Sequence, residues 1–517
     1  MVTTKPAPVV LDGSPLSICS IVSVARRGAL VELANASRKR VEAARDGMLA
    51  RAAEGEALYG INTGFGSFAH VRLPADQLAQ LQLNLIRSHA CGVGELLDTE
   101  SVRGVMVVLA ASLARGHSGV RPAVIDSIIE HLNHGITPCV PSRGSVGASG
   151  DLAPLAHIAQ GLVGEGEVHV HGSRTPVNAH EAQERAGIAR LQLSEKEGLA
   201  LINGTHMMCA LGAIAVSDVR DLMHAAIAAL AMALDGCRAA TSVLDPRIHA
   251  VRAQTGQQQI AAVVAAMLRE SQIGPSHASN DPRVQDPYAL RAGPQVLGAV
   301  LDAIRFARTT IERELGAVTD NPLVFEASGR WDVLSGANFH GMPLAIALDL
   351  LKIALSHLAG IAERRIYWAL SGHDRENLLP PHLSANPGVQ SGCMIVQYTA
   401  AACCNELRTL AYPSSVGNIP TCAGIEDYNS MGATSALHAR DAIRLARDVV
   451  ACELLVMAQA LEFQRPLVSG AGVEGARAIV RTVVAPLTAD RSIAPDLAAI
   501  AALIARGAFV RAECDLA

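Results

Sequence analysis

Residues 207–234 read MMCALGAIAVSDVRDLMHAAIAALAMAL, and apolar side chains recur there at spacings of three and four residues. This is the period of an α-helix, so the stretch predicts one long, largely buried helix. Several such helices exceed the usual length of about a dozen residues. The sequence therefore predicts a mainly α fold, an elongated bundle of long helices with a smaller mixed, loop-rich N-terminal domain. The same pattern predicts helices over Val102–Gly116, Arg121–His134, Ala292–Glu314, Asn338–Ser371, Ser391–Leu410 and Ser430–Phe463.

The character of the sequence changes near residue 205. Before it the chain is rich in glycine and loops, and it holds the only convincing strand signal, EVHVHGSRTPV at Glu167–Val177. The longest helical patterns follow it. We therefore expect an N-terminal domain over residues 1–205 and, over residues 206–517, a central long-helix bundle with a C-terminal helical region.

Composition excludes several classes of protein. Hydrophobic residues make up 50% of the 517 positions and charged residues 18%, which excludes a mainly disordered chain. The 43 Lys and Arg against 48 Asp and Glu give a net charge of −5, which argues against a nucleic-acid binder. Aromatic residues are scarce at 3%, so the core must consist of Ala, Leu, Val and Ile, as suits closely packed helices.

We expect a cytoplasmic protein with no membrane span and no bound metal. The longest nearly uninterrupted apolar run, Leu222–Leu234, is too short to cross a bilayer. The first thirty residues lack the apolar block of a secretory signal. The 11 cysteines are odd in number and include no CxxC pair, which is typical of reduced thiols. His131 and His134 fall in the last turn of a predicted helix, where histidine is favoured electrostatically, and no convincing metal set joins them.

Two generic motifs occur in the sequence without the context or residues that their functions require. Gly64–Ala69 matches the dinucleotide pattern GxGxxG/A, but a polar, alanine-rich segment precedes it in place of a strand. Ser149 lies in the glycine-rich segment PSRGSVGASGDLAP at 141–154, but Asp151 stands where a hydrolase nucleophile motif needs glycine. We expect Asp151 to cap the helix that begins there.

The tripeptide Ala148-Ser149-Gly150 within that segment can generate an electrophile. Gly150 has no side chain, so its backbone nitrogen can approach the carbonyl carbon of Ala148. Closure there, with loss of water from Ser149, makes a five-membered ring with an exocyclic methylidene. Such a ring would account for the absence of a cofactor motif. An ordinary Gly/Ser loop that leads into a helix is the alternative interpretation.

Six ordered blocks resemble the aromatic amino acid ammonia-lyases and 2,3-aminomutases. GSVGASGDLAPLAH at 144–157 is similar to the family signature, in which Ala-Ser-Gly forms a 4-methylidene-imidazol-5-one without an external cofactor. The likeness spans residues 59 to about 431. The other blocks are YGINTGFG at 59–66, EGLALINGT at 197–205, RVQDPYALR at 283–291, TDNP at 319–322 and NFHG at 338–341.

The resemblance implies a role for each matching residue. The substrate amine would add to the methylidene derived from Ser149, and Tyr59, in a glycine-bearing loop, would take the β-proton. A buried aromatic anchor is the alternative for Tyr59. Arg291 would hold the substrate carboxylate, and Tyr288 would lie close to the electrophile as an acid–base or positioning group. The remaining roles are orientation of the carboxylate and the ring carbonyl by Asn203 and Gln285, packing on the ring by Phe339, and help in ring formation by Asp151.

Substrate choice depends on His89 and Glu426. In the family, histidine enzymes carry Glu where phenylalanine and tyrosine enzymes usually carry Gln, and a carboxylate can accept an imidazole N–H. Met394 also resembles the histidine enzymes. The pair Ser88-His89, however, also occurs in tyrosine aminomutases. The chain departs from the histidine pattern at Gly424, Ile425, Tyr428, Gln397 and Tyr398.

We therefore expect non-oxidative deamination of an aromatic L-amino acid, with L-histidine giving trans-urocanate and ammonium as the first expectation. The alternatives are a 2,3-aminomutase, which returns the amine to the β-carbon, and a tyrosine or phenylalanine ammonia-lyase. The family also implies a homotetramer with shared active sites and a small-molecule amino acid substrate, with no nucleic acid or membrane partner. A non-catalytic helical scaffold would predict a loss among the residues that carry the chemistry, and all are present: Tyr59, Ser149, Asn203, Tyr288 and Arg291.

Overall fold

A computed structural model describes residues 6–64, 66, 71–72, 74–173, 175–279 and 281–510. Within these residues the fold is mainly α, as the helical periodicity predicts. The α-helices are Ile18–Arg27, Asn35–Ala53, Leu78–His89, Thr99–Leu113, Pro122–Asn133, Leu152–Leu162, Ala179–Ala186, Glu197–Ile202, His206–Gly236, Pro246–Ala250, Thr255–Met267, Ile273–His277, Tyr288–Arg291, Gly293–Glu314, Met342–Leu370, Met394–Leu410, Gly432–Phe463, Ala471–Arg481 and Ala494–Ala505.

The predicted long helices are confirmed. The stretch at 207–234 forms His206–Gly236, and nearly all of its residues are buried, as expected for a helix that is apolar on every side. The pattern at 430–463 forms Gly432–Phe463. Helix Met342–Leu370 begins four residues later than predicted, because residues 338–341 form a turn and a short loop.

Local sequence sets where several helices begin and end. The Asp98 carboxylate accepts a hydrogen bond from Ser101 N at 2.8 Å and so caps helix Thr99–Leu113. Helix Pro122–Asn133 begins with proline, whose missing N–H is not needed in the first turn. Gly187 ends a short helix in the left-handed conformation at φ +70.

The strands are short. The predicted strand segment forms Glu167–Val170 and Val177–Asn178, which pair antiparallel with each other, and Ile136–Pro138 pairs with the first of them. Alternation did not reveal the other strands, because three to five residues are too few for a two-residue period to show. These are the parallel pair Val9–Leu11 and Val31–Leu33, the antiparallel pair Val93–Leu96 and Pro141–Arg143, and the hairpin Leu323–Ala327 with Arg330–Leu334.

The chain forms two compact units, each built from three segments. The division at residue 205 stays a prediction. Within the described residues, all strands belong to the first unit. Most boundaries between segments fall inside long helices, where composition does not change. The first unit is Met1–Ser217, Arg308–Leu348 and Pro413–Leu437, and the second is Asp218–Ala307, Asp349–Tyr412 and His438–Ala517.

Buried ion pairs lie in the core of the second unit. Arg365 and Glu453 form a fully buried ion pair that joins two helices. Lys352 Nζ lies 2.7 Å from Asp349 Oδ1 on the same helix as Arg365. By length and composition this helix, Met342–Leu370, could cross a membrane, and 61% of its most apolar window is buried within the protein. Paired buried charges are typical of a packed core helix.

The described residues include no group of three or more His, Cys, Asp or Glu side chains that could hold a metal ion. The His131 ring is fully engaged in structural contacts, since Nδ1 donates to Ser127 O at 2.7 Å and Nε2 accepts from Gln183 Nε2 at 3.1 Å. The ten cysteines in the described part of the chain are unpaired.

Candidate active site

The Ala-Ser-Gly segment forms a tight turn ahead of helix Leu152–Leu162. Ala148 is buried and Ser149 is half-buried. Gly150 adopts φ +75, and a Cβ atom at that position would lie 2.1 Å from Gly204 O. The turn therefore requires glycine at position 150, both for its backbone conformation and for this close approach.

The segment Asn203-Gly204 lies against the turn. Gly204 N donates to Ser149 O at 3.3 Å, and Gly204 O accepts from Asp151 N at 2.9 Å. The Gly204 residue thus holds both neighbours of Gly150. Asn203 is 5% exposed, and its Oδ1 has no hydrogen-bond partner among the described residues. Buried amide oxygens rarely lack a partner, so Asn203 Oδ1 can accept a hydrogen bond from a bound group.

Asp151 stabilises the turn in a way that differs from the prediction. It occupies the N-cap position of Leu152–Leu162, but its carboxylate makes no capping hydrogen bond there. Oδ1 accepts from Ser145 Oγ at 2.9 Å, and Oδ2 accepts from Met208 N at 3.0 Å, in the first turn of a different helix. The predicted side-chain cap is therefore wrong, because the carboxylate is bonded to Ser145 Oγ and Met208 N instead. Burial raises the pKa of Asp151 to about 6.

Glu426 is joined directly to the turn. Ser149 Oγ donates to Glu426 Oε1 at 2.7 Å, and Thr421 Oγ1 donates to Oε2 at 2.9 Å. Thr421 N also donates to Glu426 O at 2.8 Å, which closes a tight loop with Cys422 and Ala423 in the left-handed conformation. Sequence reasoning missed Thr421, because a threonine five residues from a carboxylate predicts no contact unless the loop between them is known to be closed.

His89 ends helix Leu78–His89, and its Nδ1 donates to Leu85 O at 2.8 Å. Burial lowers the pKa of His89, while the Leu85 carbonyl and the Glu426 carboxylate act in the opposite direction. The Glu426 charge therefore acts on the His89 ring. A hydrogen bond joins Ser149 to Glu426, whereas among the described residues His89 is linked to them only through the Glu426 charge.

Two further loops support the same turn. Ser430 Oγ donates to Gly147 O at 2.9 Å. His340 Nε2 donates to Tyr428 O at 3.0 Å, and the His340 and Tyr428 rings stack with their centroids 6.4 Å apart. Phe339, next to His340, is half-buried in this loop. The loop with Phe339 is thereby attached to the segment that follows Glu426.

Tyr59 lies in a turn after helix Asn35–Ala53 and is half-buried. Its hydroxyl accepts a hydrogen bond from Gly66 N at 3.1 Å. Residues 65 and 67–70 lie outside the described residues, so the pattern at Gly64–Ala69 is described only at its glycines. The Tyr59 side chain is thus attached to its own glycine-bearing loop.

The other predicted site residues belong to the second unit. Tyr288 begins helix Tyr288–Arg291 and is 72% exposed. The Arg291 guanidinium carbon lies 4.4 Å from the centre of the Tyr288 ring, and Arg291 Nε donates to Asp286 O at 3.0 Å. Gln285 is exposed, and Met394 is half-buried at the start of helix Met394–Leu410.

Comparisons with known proteins agree with this fold. A family model for aromatic amino acid lyases matches residues 16–482. The chain is 45% identical over 507 residues to a histidine ammonia-lyase of Stigmatella aurantiaca, covering 97% of each chain. The histidine ammonia-lyase structure from Trypanosoma cruzi is 36% identical with a TM-score of 0.90, over 98% of this chain and 97% of that one. The tyrosine aminomutase structure from Streptomyces globisporus is 34% identical with a TM-score of 0.90, over 97% and 98%. This chain belongs to the aromatic amino acid lyase family.

Proposed function

We propose that this protein removes ammonia from L-histidine and releases trans-urocanate. The hydrogen bond from Ser149 Oγ to Glu426 Oε1 at 2.7 Å carries the proposal. It joins the Ala-Ser-Gly turn to a carboxylate, and a carboxylate can accept an imidazole N–H. Relatives named histidine ammonia-lyase, at 44–45% identity over nearly the whole chain, support the same reaction.

The electrophile in this proposal forms from Ala148, Ser149 and Gly150. A bond forms between Gly150 N and Ala148 C. One water molecule, made of Ala148 O and the amide hydrogens of Ser149 and Gly150, leaves. The Ser149 hydroxyl and α-hydrogen are eliminated as a second water molecule. No oxidant or external cofactor is therefore needed. The residues present fit this group, because glycine is required at 150 and Gly204 N donates to the oxygen that becomes the ring carbonyl. The ring supplies an electrophile for the substrate amine, which makes the amine a better leaving group.

Glu426 changes partner when the ring forms. Loss of the Ser149 hydroxyl frees Glu426 Oε1 to accept the imidazole N–H of the substrate. Thr421 still donates to Oε2 and keeps the carboxylate oriented. Burial lowers the pKa of His89, so its ring is mainly neutral at pH 7.

The remaining roles follow from the matched motifs and belong to the same proposal. Tyr59 takes the β-proton, which requires a lowered pKa or a neighbour that accepts the proton. Arg291 binds the substrate carboxylate through two parallel hydrogen bonds, as guanidinium geometry allows. The positioning residues are Asn203, Gln285, Tyr288, Phe339 and Met394.

A 2,3-aminomutase is the second candidate. The similarity to a tyrosine aminomutase structure at a TM-score of 0.90 favours it, since the same electrophile can return the amine to the β-carbon. A phenylalanine ammonia-lyase is less favoured, because Glu426 would face an apolar ring with no hydrogen-bond donor. A tyrosine ammonia-lyase is less favoured because the tyrosine enzymes that the chain resembles usually carry Gln at this position.

We also propose that the protein is a cytoplasmic homotetramer in which subunits share active sites. Tyr288, 72% exposed in the single chain, supports this arrangement, because an exposed aromatic side chain of this size is common at interfaces. The test of shared sites is described with the whole molecule below.

Glu426→Gln tests the substrate. We expect the parent to have a higher kcat/KM for L-histidine than for L-tyrosine and L-phenylalanine. Glu426→Gln should lower kcat/KM for histidine about 10- to 100-fold, because it removes one hydrogen bond to a charged group. Glu130→Gln, at an exposed glutamate, is the matched control. A parent enzyme that prefers tyrosine would contradict the proposal.

A further inference from the structure

We propose that Thr205, Thr319 and Glu314 form a positioning clamp that holds Gly204 against the Ala148-Ser149-Gly150 turn and thereby promotes ring closure. This inference rests on the proposed function and concerns how the electrophile forms. The three clamp residues do not touch the reacting atoms. They act through Gly204.

Gly204 restrains the turn on both sides of the reacting nitrogen. Its N–H donates to Ser149 O at 3.3 Å, and its carbonyl accepts from Asp151 N at 2.9 Å. Gly150 and Gly204 are paired as a parallel β-bridge. Because Ser149 and Asp151 flank Gly150, these bonds fix the path of the chain through Gly150 N, the atom that must reach Ala148 C.

The clamp residues themselves restrain Gly204. Thr205 N donates to Thr319 Oγ1 at 3.2 Å, and Thr205 Oγ1 donates to Glu314 Oε1 at 2.5 Å. A Cβ atom at Gly204 would lie 2.7 Å from Thr319 Oγ1, so Thr319 packs directly against this glycine. Thr205 and Thr319 are both buried.

The clamp is attached to other buried contacts of the first unit. Lys196 Nζ lies 2.6 Å from Asp320 Oδ2, and both side chains are buried. Asp320 follows Thr319, and Lys196 precedes the helix that leads to Asn203, so this ion pair ties together the two segments that meet at the clamp. Glu314 is the last residue of helix Gly293–Glu314, and burial raises its pKa.

The experiment compares ring formation in matched threonine variants. Thr205→Val removes the hydroxyl at nearly constant volume, and Thr205→Ser restores it. Thr137→Val is the control, because Thr137 is a buried threonine whose Oγ1 has no partner in the described part of the chain. The intact mass of each purified full-length variant gives the fraction of chains that have lost two waters, and circular dichroism checks that helix content is unchanged.

We expect the parent, Thr205→Ser and Thr137→Val to lose two waters completely. Thr205→Val should form the ring about tenfold more slowly after synthesis, the effect of one lost hydrogen bond. Ring formation in Thr205→Val at the parental rate would overturn the clamp. If Thr205→Val does not fold, Thr319→Val serves as the test variant, because it removes the oxygen that accepts from Thr205 N. Ring formation in Thr319→Val at the parental rate would then overturn the clamp. A parent chain that retains both waters would instead contradict the proposed function.

Discussion

His206 is a buried ionisable residue beside the candidate active site. It is 2% exposed, and neither ring nitrogen has a hydrogen-bond partner within the described residues. Burial lowers its pKa to about 4. A Cβ atom at Gly204 would lie 2.4 Å from the His206 ring, so the ring packs closely against the segment that supports the turn. A charge on this ring would have no partner.

This environment predicts a specific sensitivity to acid. Between pH 6.5 and 4, His206 is protonated in the unfolded chain but remains neutral in the folded protein. The folded state therefore loses stability as the pH falls through this window. The shift corresponds to about 3 kcal/mol of unfolding free energy. His206→Gln should therefore lose less stability than the parent when the pH is lowered from 7.5 to 5.

The measurement is the urea midpoint of the parent and of His206→Gln at both pH values. His134→Gln, at an exposed histidine, is the control and should behave like the parent. Equal losses of stability on acidification in the parent and in His206→Gln would show that His206 is not responsible.

At the scale of elements, the long helices are held by apolar packing and by a few buried ion pairs. Arg365 on helix Met342–Leu370 and Glu453 on helix Gly432–Phe463 are both 0% exposed. Burial raises the pKa of Glu453, and the Arg365 charge opposes that shift. Each charge is therefore tolerated in the core because the other is present.

Removing one partner should cost more than removing both. Arg365→Met leaves a buried carboxylate unpaired, so we expect a loss of about 3–5 kcal/mol. The double variant Arg365→Met with Glu453→Leu replaces both charges by apolar side chains and should recover most of that loss. The thermal midpoints of the two variants test this. A double variant as unstable as Arg365→Met would contradict it.

The elements also show which features the sequence could predict. Periodicity predicted the long helices because an apolar repeat of three and four residues persists over many turns in each. The short strands carry no such repeat, and most unit boundaries lie inside helices of uniform composition. In the candidate site, motifs identified Ser149 and Glu426. Thr205 and Thr319 also lie in those motifs, but their contacts and those of Thr421 became visible only in the structure.

At the scale of the whole molecule, the predicted site residues are divided between the two units. Ser149, Glu426 and His89 belong to the first, and Tyr288 and Arg291 to the second. The proposal of shared active sites states that a complete site takes residues from more than one subunit. Tyr288 is exposed in the single chain, so its ring is accessible to another subunit.

Shared sites predict complementation between inactive variants. Ser149→Ala lacks the electrophile, and Tyr288→Phe lacks the hydroxyl proposed to lie close to it. Co-expression of the two variants should give mixed oligomers with activity above that of either variant alone, because some sites then combine an intact Ser149 with an intact Tyr288. Activity no higher than the sum of the separate variants would mean that one subunit supplies both residues.

The most direct test of the central claim is identification of the products after the purified protein is incubated with L-histidine. Liquid chromatography with mass spectrometry should show trans-urocanate and ammonium, and neither should form with Ser149→Ala. An amino acid of unchanged mass and new retention time would identify an aminomutase and contradict the lyase reaction. Absence of any product from histidine, with turnover of tyrosine, would contradict the role of Glu426 in binding an imidazole ring.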